Sequence, residues 1–326
     1  MPPDGGSSHG GSIDPGTAAL IEAARAGRPR ALGRLISLVE NDAPQLRTVL
    51  TALLPERGRA RVVGVTGAPG VGKSTTVTGL IALLRAAGER VAVLAVDPSS
   101  PFSGGALLGD RVRMQSHATD SRVFIRSMAT RGHLGGLAVA APQALRVLDG
   151  GGFDTVIVET VGVGQSEVEV AGQADITLVL LAPGMGDGIQ AAKAGILEVG
   201  DIFVVNKADR DGAQSVVREL RGMLALTPRA AGDKPPAIIT TVAVDGEGLD
   251  DLLEAINRFA ERAQASGSWQ RRRWERARAE VAALALTRLR AELTLDNRAE
   301  LDDLARAVRD GELDPFSAAD RLLAAR

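Results

Sequence analysis

The chain contains no cysteine, which excludes disulfides, thiolate-bound metal centres and a cysteine nucleophile. Aromatic residues make up only 2% of it, so a core has to come from the Ala, Val and Leu that dominate its 45% hydrophobic fraction. Histidine is scarce as well: His9, His117 and His133 are scattered and cannot form a His-rich metal cluster alone. No strong excess of charge exists. A net charge of -2 over 326 residues argues against a general nucleic-acid footprint. Long apolar runs are also missing; ITLVLLA at 176–182 is far short of the roughly 20 residues that span a bilayer. The opening MPPDGGSSHGGSIDPG lacks the basic, apolar, small-residue order of a signal peptide, and its Gly and Ser content predicts a disordered lead-in. These absences lead to the expectation of a soluble, cytoplasmic protein that uses neither membrane nor nucleic acid.

What is present has a clear rhythm. Residues 17–54 carry apolar side chains at helical spacing (Leu20, Ile21, Ala24, then Leu32, Leu35, Ile36, Val39), broken by Pro29 and Pro44, which predicts two or three short helices. From Arg61 onward, apolar runs of strand length alternate with helical stretches: RVVGVT, VAVLAVD, RVFIR, DTVIVE, ITLVLLA, DIFVVN and PAIITTVA. Continuous Val/Ile/Leu runs suit strands buried on both faces, as in a parallel sheet covered by helices. After about residue 262 the pattern is wholly helical, beginning with the basic, Trp-bearing WQRRRWERARAEVAALALTRLRAEL. Such an arm either folds back on the domain by an apolar stripe or pairs with another copy, and two Trp beside three Arg favour an interface. The predicted architecture is α/β, a P-loop NTPase with a mostly parallel central sheet flanked by helices. The boundaries expected are a lead-in at 1–16, an N-terminal helical segment at 17–58, a GTPase domain at 59–262 and a C-terminal helical arm at 263–326.

Gly67-Ala68-Pro69-Gly70-Val71-Gly72-Lys73-Ser74 is a complete phosphate-binding loop, set between a predicted strand and a predicted helix that continues with Thr75. Its glycines let backbone N–H groups turn inward around phosphate oxygens, with the helix N-terminus adding a favourable dipole. Lys73 is the candidate for the outer phosphates and Ser74 for Mg²⁺. Asn206-Lys207-Ala208-Asp209 follows the run DIFVV. A carboxylate at Asp209 accepts from the N1–H and exocyclic amine of guanine, a donor pair that adenine lacks. The aliphatic stem of Lys207 suits the base face, and Asn206 suits a tie to the phosphate loop. The nucleotide expected is therefore GTP.

Acidic residues complete the candidate site. Asp97 ends the second predicted strand, where a carboxylate suits Mg²⁺ or its waters, although a turn before Pro98 would also explain it. Asp110 offers a second acid from a loop that could close over the γ-phosphate; a plain helix start at Asp110-Arg111 is the plainer account. In VIVETVGVGQS, Glu159 stands where nucleotide hydrolases commonly place a metal-side aspartate, with Gly162 available to donate its N–H to the γ-phosphate. Gln165 is a candidate for orienting the attacking water, but it lies three positions after Gly162 rather than next to it.

TGAPGVGKST, VDPSSPFSGGALLGDRVRM, SMATRGHLGG, VETVGVGQSE, PGMGDGIQAAKAGILEVGDIFVVNKAD and DGEGLDDLLEAI together resemble the MeaB/ArgK family of GTPases, from about residue 20 to the C-terminal arm. The resemblance implies that Glu159 is the usual switch residue of this family. It implies a GTPase that gates delivery of adenosylcobalamin to methylmalonyl-CoA mutase and protects that enzyme, with a homodimer formed through the C-terminal arm. It further implies an extra switch at 183–195, containing Asp187, Gln190 and Lys193. One departure concerns the base: where the family often has Ser-Ala, this chain has Val242-Ala243. The hydroxyl is lost, leaving the Ala243 N–H as the group within reach of guanine O6. Other readings are a chaperone of another acyl-CoA mutase, a metal-insertion GTPase and an ATPase linked to basic amino-acid transport. The lack of Cys and paired His counts against metal insertion, and Asp209 counts against an adenine nucleotide.

Overall fold

All seven apolar runs form strands, and every pairing between them is parallel. The computed structural model of the chain describes residues 13–53, 58, 60–98, 117, 119–130, 136–160, 172–184, 199–226, 234–293 and 298–324. The strands are β1 (Arg61–Gly67), β2 (Val91–Pro98), β3 (Val123–Thr130), β4 (Thr155–Thr160), β5 (Ile176–Leu181), β6 (Ile202–Asn206) and β7 (Ala237–Thr241). They form one sheet in the order β3-β2-β4-β1-β5-β6-β7. Every residue of β4, β5 and β6 is buried. That is why these runs show no polar alternation: helices cover both faces, so both sets of side chains leave water.

On one face lie α4 (Lys73–Ala86) and α7 (Leu249–Ala265), which close a core with Val63, Val65, Ile157, Ile176 and Leu178. The other face carries α5 (Gly136–Gly150), the N-terminal helices and, over β5 and β6, α6 (Ala213–Leu226). The N-terminal segment forms three helices, α1 (Pro15–Arg25), α2 (Pro29–Glu40) and α3 (Leu46–Ala52). Pro15 and Pro29 each open a helix, where the missing N–H is no loss. Asp14 caps α1 by accepting the Thr17 N–H at 3.0 Å. Leu32, Leu35 and Ile36 of α2 are fully buried against the α5 side of the sheet.

Strand order reverses around β1, with β2 reached on one side across β4 and β5 to β7 on the other. In such sheets the crevice at the carboxyl ends of the strands is where a ligand fits. Gly67, Asn206 and Thr241 lie at those ends, and Asp97 and Glu159 are each one residue from the ends of β2 and β4.

The arm begins with α8 (Ser268–Ala291), followed by α9 (Arg298–Arg309) and α10 (Pro315–Ala324). Its basic start is used inside the molecule. Arg272 pairs with Asp201 at 2.8 Å, Arg273 with Asp175 at 2.7 Å, and Arg276 also with Asp175. Arg273 reaches the carbonyls of Gly58 and Ala60 as well, and Arg146 of α5 pairs with Glu280. Trp269 is 6% exposed and belongs to the core, whereas Trp274 is 61% exposed beneath Arg278. The expected clustering of both Trp with the Arg run at an interface is thus divided: one Trp and two of the three consecutive Arg are engaged internally. The apolar stripe expected along the rest of α8 is not buried either, since Val281 and Leu286 are 68% and 64% exposed. Among the described residues, no helix is long and apolar enough to cross a membrane.

Asp175 anchors this arrangement. Its carboxylate is 1% exposed, and the Val62 N–H donates to it at 2.9 Å. Burial alone would push the carboxyl up, but hydrogen bonding from Arg273, the charges of Arg276 and Arg273 and the Val62 N–H outweigh it and hold it below its ordinary 3.8. A pKa lowered on folding stabilises the fold above the unfolded value, and that contribution is lost as the pH falls below 3.8 toward the folded value. Asp175→Asn leaves two half-buried guanidinium groups without their buried counter-charge, and we expect it to lower unfolding free energy by about 2–4 kcal/mol in urea at neutral pH. The difference from the wild type should shrink as the pH is taken below 4, because the unfolded chain's Asp175 carboxylate then binds a proton that the folded one does not.

Candidate nucleotide site

The turn after β1 depends on glycines that no other residue replaces. Gly67 has φ +140°, and a Cβ there would lie 2.3 Å from the Leu180 carbonyl oxygen of β5. Gly72 has φ +100°, and a Cβ there would lie 2.2 Å from Asn206 Nδ2. Neither clash is relieved cheaply, since one neighbour is backbone and the other is a buried amide held by three hydrogen bonds. The loop therefore packs directly on β5 and β6, and α4 starts from it with its N-terminus at the crevice. Pro69 and Gly70 are exposed and Val71 is buried, so the loop is pinned at Val71 and open along its rim.

Lys73 is buried, and its Nζ donates to the carbonyls of Gly67 at 2.5 Å and Ala68 at 3.1 Å. Its ammonium is thereby held inside the loop, and its positive charge adds to that of the helix N-terminus. Next to it, Ser74 Oγ donates to Glu159 Oε1 at 2.7 Å, with Ser74 8% and Glu159 2% exposed. Thr75 faces solvent. Glu159 stands on β4 opposite Val65 of β1 and Ala95 of β2. A carboxylate and a hydroxyl in contact, beside a cationic loop, form the all-oxygen donor set that Mg²⁺ takes, so these residues fit that ion. Asp97 lies one residue from the end of β2, beyond Ala95 and opposite Ala129 of β3. Among the described residues no group of three or more His, Asp or Glu is gathered to hold a metal. Asp110, Gly162 and Gln165, with Arg111 and the 185–195 part of the expected extra switch (Asp187, Gln190, Lys193), lie outside the described residues.

The second half of the site is organised by Asn206 at the end of β6. Its Nδ2 donates to the Val71 carbonyl at 2.8 Å. Its Oδ1 accepts from Thr241 Oγ1 and from the Ala243 N–H, each at 3.0 Å. Lys207 adopts φ +58°, uncommon for a residue with a side chain, and its Nζ donates to the Gly70 carbonyl at 2.6 Å. Its stem therefore bridges the loop after β6 and the rim of the phosphate loop. Asp209 follows in an exposed turn closed by the Arg210 N–H on the Lys207 carbonyl at 3.0 Å.

Val242 and Ala243 are buried, and the Val242 N–H donates to the Glu247 carbonyl at 3.0 Å. The Ala243 N–H, expected to face guanine O6, here donates to Asn206. Sequence reasoning overlooked Thr241, whose hydroxyl completes the Asn206 network, and Gly248, where a Cβ would lie 2.2 Å from the Thr240 carbonyl oxygen. The signals were present: a hydroxyl ending the apolar run AIITT, and a second Gly two residues beyond Gly246.

With that geometry in place, comparison with known proteins becomes informative. Residues 32–298 match the family described as methylmalonyl-CoA mutase-associated GTPase MeaB. A protein of Pyrococcus abyssi named as a GTPase is 45% identical, with 93% of this chain and 95% of that one aligned. GTPase ArgK of Escherichia coli is 39% identical over 77% of this chain and 78% of its own. The mouse protein named methylmalonic aciduria type A homolog, mitochondrial, is 37% identical over 81% of this chain and 65% of its own. Among solved structures, one described as LAO/AO transport system kinase superposes with a TM-score of 0.72 at 29% identity, covering 96% of this chain and 98% of that one.

Asn206→Ala removes three buried hydrogen bonds and leaves their partners unsatisfied. We expect urea unfolding to show a loss of about 2–4 kcal/mol. Asn206→Asp keeps the acceptor for Thr241 and Ala243 but sets a buried carboxylate oxygen against the Val71 carbonyl, so its loss should be at least as large.

Proposed function

Because this chain belongs to the MeaB family of GTPases, we propose that it binds and hydrolyses GTP in the cytoplasm and gates adenosylcobalamin delivery to methylmalonyl-CoA mutase. The observation that carries the reading is the joining of two half-sites by one amide: Asn206 bonds the phosphate loop at Val71 and the base-side loop at Ala243. A nucleotide bridging both halves has its phosphates at Gly67–Thr75 and its base at Asp209, with Lys207 against the base face. Asp209 accepts from the guanine N1–H and amine, while the buried Val242-Ala243 corner bounds the pocket. The mouse relative's name and the family's description support a mutase as client.

Hydrolysis is attack of water on the γ-phosphate, with GDP as leaving group. Lys73 moves from its carbonyl contacts to the outer phosphate oxygens and offsets the charge that builds there. Gly162 donates its N–H to the γ-phosphate and loses that contact when phosphate leaves, which makes the segment after β4 sense nucleotide state. Gln165 is the candidate for orienting the water. Ser74 and Glu159, with Asp97 and Asp110, would hold Mg²⁺, which would supply neutralisation of the phosphate charge.

The exposed apolar side chains of the arm, Val281 and Leu286 on α8 with Phe316 and Leu323 on α10, support assembly as a homodimer. Replacing Val281 and Leu286 together by Asp should convert a dimer to a monomer in sedimentation. A wild-type monomer at micromolar concentration would end that part of the proposal.

GTP turnover by the purified protein should be slow alone and rise at least about tenfold with the mutase, as for switches completed in trans. Lys73→Ala should abolish both rates. Turnover that the mutase leaves unchanged would retain the GTPase and remove this partner. Failure to bind GTP would overturn the whole reading.

A further inference from the structure

Ser127 opens the stretch SMATRGHLGG, none of whose residues has a part in the site described above. Backbone pairing sets Ser127 of β3 opposite Ala95 of β2, and Ala95 opposite Glu159 of β4. Residues in one row of a parallel sheet share a face, and neighbouring strands lie about 4.8 Å apart. Ser127 and Glu159 therefore stand on the same face, their Cα atoms about 10 Å apart by that spacing, with only the methyl group of Ala95 between them. The next row away from the crevice is hydrocarbon, Val93 and Ile157 with Ile125 beside them. The row beyond it sets Val91 and Val123 beside Thr155, whose hydroxyl is satisfied by Glu89.

The Ser127 hydroxyl is closed off from solvent and has no hydrogen-bond partner among the described residues. A buried hydroxyl in that condition is destabilising, a cost that alanine would avoid. A buried polar group of this kind is normally satisfied by ordered water when other polar groups stand within reach. The polar group facing it across the Ala95 gap is the Glu159 carboxylate, which already holds Ser74.

We infer that Ser127 is a positioning residue for the metal side of the site: its hydroxyl anchors ordered solvent that spans Ala95 and fixes the Glu159 carboxylate. The small side chain at Ala95 is part of the device, because a larger one fills the gap. Outer partners of this kind set how tightly a carboxylate and its neighbours hold an ion. The inference rests on the nucleotide and Mg²⁺ reading given above.

The test follows release of a fluorescent GDP analogue from the full chain as Mg²⁺ is titrated, so it reads binding rather than turnover. Ser127→Ala should raise the Mg²⁺ concentration that half-maximally slows release by about tenfold, with release in EDTA unchanged. Ser127→Thr keeps the hydroxyl and should restore the wild-type midpoint. Ala95→Val, with Ser127 intact, should shift the midpoint in the same direction as Ser127→Ala. A wild-type midpoint in folded Ser127→Ala or in folded Ala95→Val overturns the inference. So does a faster release in EDTA with no midpoint shift, which assigns Ser127 to packing alone. If the wild type binds the analogue but Mg²⁺ does not slow its release, this inference and the metal assignment fall together while nucleotide binding stands.

Discussion

The carboxamide of Asn206 is the interaction on which the rest of the site depends. It is 3% exposed, and its donor and acceptor ends make three bonds to two separate pieces of chain: the phosphate loop and the end of β7 with the corner that follows it. A buried amide is costly unless it is satisfied, and here its bonds form only when both pieces are in place. The same amide sits against Gly72, so the glycine pattern of the phosphate loop and the asparagine of the base-side loop are one steric solution.

Around that joint the strand ends sort the chemistry. Cationic and N–H groups gather at the end of β1 and the start of α4, where the macrodipole favours an anion. Carboxylate and hydroxyl oxygens gather one strand over, at Glu159 on β4 and Ser74 on α4. Parallel pairing makes this possible, because it brings the carboxyl ends of β1, β4, β5 and β6 to one edge although their segments are far apart in the chain.

The opposite edge of the sheet is held by charge. Asp175 and Asp201 lie just before β5 and β6, and the guanidinium groups of Arg272, Arg273 and Arg276 grip both from α8. The arm is thus tied to the same two strands that lead toward the Pro183 turn and to the base-side loop. Beyond that anchorage α8 carries exposed Val281 and Leu286, side chains whose burial requires another surface.

Much of this was legible in the residues. The apolar runs determined seven strands, of which β4, β5 and β6 are buried throughout because covering both faces leaves no room for polar alternation, and Gly67–Ser74 determined a phosphate loop through its spacing. Asn206-Lys207-Ala208-Asp209 likewise determined where a base is read, and even the tie from Asn206 to the phosphate loop was foreseeable. The destination of the basic stretch at 269–278 was not. A run of Arg has the same local signature whether it faces solvent, a partner or a buried acid, and Asp175 and Asp201 are roughly 70 to 100 residues away in sequence. The Ala243 N–H could not be assigned beforehand for the same reason: its acceptor, Asn206, lies 37 residues earlier. Local pattern therefore determined the elements and the chemistry of the loops. Only the packing of distant strand ends decided which polar group bonds which, since in a buried setting each donor takes the acceptor that the sheet order brings within reach.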